Sequence, residues 1–100
     1  LKGLGEGYEV RTIGSAELAL ELVDQTPFDL AVIDYRLPGN DGLDLVRRLQ
    51  RISPQTQTIV ITAYSSPDLE DQAQRLQAYR YLEKPFHIDV LVTAVREALT

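Results

Sequence analysis

Two short, uninterrupted apolar runs, Leu30-Ala-Val-Ile33 and Ile59-Val-Ile61, constrain this chain more than any other feature. Runs of that length without polar alternation read as strands buried on both faces, which occur in parallel sheets covered by helices. Helical periodicity surrounds them. Ser15 reads as an N-cap, and Ala16, Leu18, Ala19, Leu22 and Val23 form an apolar stripe ending near Gln25, before Pro27. Between the two runs, Leu45, Val46, Leu49 and Ile52 share one helix face, opposite Arg47, Arg48 and Arg51, and Pro54 closes that helix. Asp41 is positioned to cap it, and Pro38-Gly39 suits a type II turn just before.

The alternation continues in both directions. Tyr8 to Ile13 alternates and carries β-formers, so a strand is expected ahead of the first helix. After Thr62, Ser65 to Asp68 make a loop and a helix start, with Leu69, Ala73 and Leu76 inward to about Gln77. A short strand, Tyr79 to Leu82, precedes Lys84-Pro85, and a last helix runs from Ile88 to Leu99 with Leu91, Val92, Val95 and Leu99 inward. Strand followed by helix, four times over, indicates βαβ units and a three-layer, doubly wound parallel sheet. At 100 residues one core is expected and two domains are excluded.

Composition removes several functions. There is no cysteine, which excludes a disulfide framework, a zinc-thiolate site and thiol catalysis, and agrees with a reducing cytoplasm. The net charge of −5 argues against nucleic-acid binding by this domain. No apolar stretch is long enough to span a bilayer. Gly3, Gly5 and Gly7 imitate a phosphate cradle, but a strand follows them instead of preceding them, and they read as a flexible turn. His87 is the single histidine and reads as a polar residue at a helix start. Asp41 and Asp44 read as helix-start carboxylates, and the three arginines as a solvated face, with kinase docking as their alternative role.

In an open α/β sheet, ligands bind beyond the carboxyl ends of the strands. The strands here end in Asp34, in Thr62 and just before Lys84. Each alone has an ordinary explanation: a turn former, a β-former, a surface charge. Together they form a set suited to receiving a phosphoryl group, with a carboxylate to attack phosphorus and a hydroxyl and an ammonium to bind its oxygens.

Three segments carry a family resemblance: Asp29-Leu-Ala-Val-Ile-Asp34-Tyr-Arg-Leu-Pro-Gly-Asn-Asp-Gly42, Ile59-Val-Ile-Thr62-Ala63-Tyr64 and Tyr79-Arg-Tyr81-Leu-Glu-Lys84-Pro85-Phe86. With these in order, the chain resembles the receiver domain of bacterial two-component response regulators, the chemotaxis-regulator-like fold. The resemblance implies a flavodoxin-like sheet of order 2-1-3-4-5. It makes Asp34 the phosphoacceptor from a histidine kinase or phosphotransfer protein, and Thr62 and Lys84 the partners of the acyl phosphate. Tyr81 becomes an aromatic switch, and the Lys84–Pro85 peptide is expected to be cis. Mg²⁺ is the implied cofactor, held in part by Asp34 and the main-chain carbonyl of Arg36. The helix from about Asp68, the strand to Leu82 and the helix from Ile88 form the implied output face, through which a homodimer is also expected. Such a domain is cytoplasmic and signals without turning over a small substrate.

Three departures stand out. Gln77 replaces a glycine before Ala78-Tyr79, so a left-handed backbone there is strained. Ser65 stands where glycine is common. The acidic pair that completes the metal site in such domains has no match at the front of the chain, where Leu1 to Tyr8 resembles the end of a first helix. The expectation is therefore a receiver domain over residues 1–100 without its first strand, about 20 residues short by ordinary element lengths. Such a piece would be weakly stable or would dimerise through strand edges. An alternative follows: a phosphorylation-independent pseudo-receiver serving as a protein-interaction module. A flavin- or nucleotide-binding flavodoxin-like protein shares the architecture but lacks a phosphate-binding loop.

Overall fold

The computed structural model describes residues 15–26, 28–37 and 40–99. The strand expected at Tyr8 to Ile13, the glycines before it and the Pro38-Gly39 turn lie outside them, as does the Asp41 side chain. Along the described chain, α1 (Ala16–Gln25) is followed by β1 (Leu30–Asp34), β2 (Arg36–Leu37) and β3 (Asn40–Asp41). Then come α2 (Gly42–Ile52), β4 (Gln57–Thr62), α3 (Pro67–Arg75), β5 (Arg80–Glu83) and α4 (Ile88–Ala98). The helices start where side chains can hold their free N–H groups. Ser15 Oγ accepts from Leu18 N–H, Ser66 Oγ from Leu69 N–H, and His87 Nδ1 from Asp89 N–H.

β1, β4 and β5 form a three-stranded parallel sheet in the order β1-β4-β5. Its register pairs Asp34 with Ile61 and Thr62 with Glu83, so successive strands end at one edge. β2 and β3 form a separate antiparallel ladder, Arg36 with Asp41 and Leu37 with Asn40, where the sequence suggested only a turn.

The pleat sorts the apolar residues onto two faces. Ile33 and Val60 point to one face and pack with Ala16 of α1, with Leu43, Leu45, Val46 and Leu49 of α2, and with Leu69 and Ala73 of α3. Ile59 points to the other and packs with Leu91, Ala94 and Val95 of α4. Among the described residues that second face carries one helix against three on the first. This overturns the reading of Leu30 to Ile33 as buried on both sides. Val32, mid-strand, is 40% exposed, because α4 packs over Ile59, Ile61 and Leu82. Ile52, expected inward, is also exposed, since it is the last residue of α2 and extends past the core.

Candidate phosphoacceptor site

Two strand ends and the loop after β5 supply the predicted residues. Asp34 closes β1 and is half-buried. Its Oδ1 accepts from Arg36 N–H at 3.0 Å, and its Oδ2 accepts from Lys84 Nζ at 2.7 Å, across fifty residues of sequence. Lys84 reaches it because its own N–H donates to Thr62 O at 2.7 Å, which continues the sheet pairing past the end of β5. The Lys84–Pro85 peptide is cis, as expected. Lys84 and Asp34 are thus brought into contact, and in this state the ammonium pairs with the carboxylate itself.

Thr62 ends β4, one residue past the register partner of Asp34, and is fully buried. Its hydroxyl accepts from Tyr64 N–H at 2.9 Å. Tyr81 is half-buried against the larger core, and its phenol donates to Ser65 Oγ at 2.9 Å. The serine that departs from the expected glycine is therefore the anchor of the expected switch residue. Gly42 was not singled out by sequence reasoning, yet it shapes the Asp34 loop. A Cβ there would lie 2.6 Å from Asp34 O and 2.8 Å from Tyr35 Cα, and Gly42 N–H donates to Tyr35 O. Only a residue without a side chain lets α2 start this close to the end of β1. The clue was its place at the end of the Asp29–Gly42 segment.

The electrostatics favour an ionised nucleophile. Burial pushes the Asp34 carboxyl up, but the Lys84 hydrogen bond, the Arg36 N–H and the charge of Lys84 together hold it below its ordinary value of 3.8. Asp34 is an anion at neutral pH, with both oxygens oriented by donors.

Mg²⁺ takes hard oxygen ligands in an octahedron, one or two of them carboxylates. Among the described residues no cluster of three His, Cys, Asp or Glu side chains stands together. These residues offer Asp34 and the Arg36 carbonyl, and by themselves fall short of a Mg²⁺ site. His87 lies apart from this edge in function, capping α4. Arg47, Arg48 and Arg51 lie on the solvent side of α2, where Arg48 pairs with Asp44 at 3.1 Å.

A parallel sheet with helices on both faces and a polar cluster at its C-terminal edge is a flavodoxin-like α/β domain. The family model for the response regulator receiver domain matches residues 1–96, and the chain belongs to that family. It is 32% identical over 94 residues to sporulation initiation phosphotransferase F of Bacillus subtilis, covering 94% of this chain and 76% of that protein. It is 41% identical over 91 residues to the response regulator protein PilR of Pseudomonas aeruginosa, covering 91% of this chain but 20% of PilR. The chain thus spans about a fifth of that longer relative.

Solved structures agree. A CheY-like receiver domain protein from Methanospirillum hungatei superposes with a TM-score of 0.90 at 28% identity, covering 98% of this chain and 79% of the other. A Burkholderia pseudomallei response regulator, solved with a phosphorylated aspartic acid, a calcium ion and citrate, gives 0.79 at 29% identity over 93% of this chain and 60% of that one. Receiver domains are signalling domains whose general role is phosphorylation-dependent switching. They work with histidine kinases or phosphotransfer proteins, and the family binds Mg²⁺ at the phosphorylation site. The phosphorylation-independent reading gains no support from these likenesses. Among the described residues, no helix is long and apolar enough to cross a membrane.

Proposed function

We propose that this chain accepts a phosphoryl group on Asp34 from a histidine kinase or phosphotransfer protein, in the cytoplasm, and passes the change to an output surface. One observation carries the proposal: the Asp34 carboxylate, ionised and oriented, touches the Lys84 ammonium at 2.7 Å at the C-terminal edge of the sheet. A carboxylate oxygen attacks phosphorus of the donor phosphohistidine. The P–O bond to Asp34 forms as the P–N bond breaks, and the imidazole leaves with the bonding pair and takes a proton from solvent. Lys84 then loses part of its carboxylate partner and follows the charge onto the phosphoryl oxygens.

Thr62 lends its hydroxyl to the same oxygens by giving up Tyr64 N–H. Tyr81, which holds Ser65 in the loop after Thr62, feels that shift and moves inward. The output face consists of α3, β5 and α4, and a homodimer forms through it. The chain catalyses only its own phosphorylation and dephosphorylation.

Incubating the chain with a small phosphodonor and Mg²⁺, followed by intact-mass measurement, tests this. One added phosphoryl group is expected, and Asp34→Asn abolishes it. No gain in mass, or a gain that survives the substitution, overturns the reading.

A further inference from the structure

Two tight turns flank Asp34, and each presents its second residue toward the other. After β1, Asp34 Oδ1 holds Arg36 N–H at 3.0 Å; after β4, Thr62 Oγ1 holds Tyr64 N–H at 2.9 Å. The two presented side chains meet, with the Arg36 guanidinium carbon 4.1 Å from the centroid of the Tyr64 ring. Both are exposed, and Tyr64, at 60%, exceeds the other exposed large apolar side chains among the described residues. The stack therefore contributes little to the core. It places a cation on a ring, two residues from the phosphoacceptor.

A guanidinium on an exposed aromatic face is weakly held. The same guanidinium on phosphoryl oxygens makes charge-assisted, bidentate hydrogen bonds, which are much stronger. A phosphoryl group adds three terminal oxygens, of which one ammonium, Lys84, cannot satisfy all. We infer that Arg36 is a phosphoryl-binding side chain held in reserve on Tyr64. When Asp34 carries a phosphoryl group the guanidinium leaves the ring for the oxygens, and the face of Tyr64 is uncovered. This rests on Asp34 being the phosphoacceptor and adds to it a cationic contact and an aromatic surface exposed only in the phosphorylated state.

Competition follows from the exchange. The ring holds back the cation in the resting state, so removing the ring strengthens phosphoryl binding, and removing the cation weakens it. The experiment titrates the chain with beryllofluoride and Mg²⁺, as a phosphoryl analogue at equilibrium, and follows the Arg36 side-chain resonances by NMR. In the wild type, the ring-current-shifted Arg36 signals move to ordinary positions as the analogue binds. Tyr64→Leu tightens binding about 2- to 5-fold, the worth of an exposed stack. Arg36→Ala weakens it roughly tenfold, and Tyr64→Leu has no effect on that background.

Unmoved Arg36 signals, or equal affinities across the variants while Asp34→Asn alone abolishes binding, overturn this inference and leave Asp34 as phosphoacceptor. Failure of the wild type to bind the analogue or to gain a phosphoryl group overturns both. Both variants alter surface side chains, and thermal melts verify that they fold.

Discussion

At Asp34, opposing effects of burial and partners are resolved by geometry. Burial favours the neutral acid, yet two donors aimed at its two oxygens win, so the folded carboxyl titrates below the 3.8 of an unpaired one. A group whose folded pKa is depressed contributes stability that is complete above 3.8 and is lost as pH falls through the lower folded value. Replacing the ammonium in Lys84→Gln leaves burial with less opposition, and the Asp34 carboxyl then titrates higher than in the wild type, which carbon-detected NMR reads directly. Denaturant melts at a series of pH values will show the wild type more stable than Lys84→Gln at neutral pH, with the gap closing below 3.8. A gap that persists unchanged into acid would contradict this account of the pair. Asp34, Thr62 and Lys84 were legible because strand ends are predictable from apolar runs, and the side chain at a strand end faces the ligand edge. The Arg36–Tyr64 stack and the Tyr81–Ser65 bond were not legible. They depend on where loop residues turn, which side-chain periodicity does not encode.

At the level of single elements, the end of α3 shows a mismatch between backbone and residue. Ala78 N–H donates to Ala73 O and Gln77 N–H to Gln74 O, the two bonds of a Schellman ending, with Gln77 at φ 62° in the position glycine favours. The apolar contact that accompanies such an ending is present, since Ala73 and Ala78 belong to the same core cluster. Gln77→Gly removes the left-handed penalty of a side chain, about 1 kcal/mol, offset in part by the freer unfolded chain. A rise in melting temperature of a few degrees is expected by calorimetry; a fall would mean that the glutamine side chain makes a contact worth more than the strain. The left-handed backbone was foreseeable from the glycine expected there. Helix starts were legible too, because Ser15, Ser66 and His87 are cap-forming types placed before apolar stripes. Ile52 misled because periodicity continues to the end of a helix whether or not a core lies opposite it.

The whole molecule is a sheet with unequal sides. On the side of α1, α2 and α3, Leu49 is 2% exposed and Val46 and Val60 are fully buried; on the other, Val32 is 40% exposed in the middle of its strand. Sequence alone could not show this asymmetry, because Leu30 to Ile33 reads as equally apolar in both directions. The number of helices covering each face is a property of the whole topology. The two sides will respond differently to substitution. Leu49→Ala should cost about 2–5 kcal/mol, a large share of a small domain's stability, while Val32→Thr should stay within about 0.5 kcal/mol, both by urea unfolding. Equal losses at the two positions would show that the described packing misjudges the second face. The reactive centre depends on this topology in one more way. Its acid and its amine are fifty residues apart and meet only after β1, β4 and β5 have aligned. On the ribosome, a growing chain therefore cannot hold the Asp34–Lys84 contact until residue 84 has left the exit tunnel, so a half-made copy cannot intercept the signal meant for a finished one.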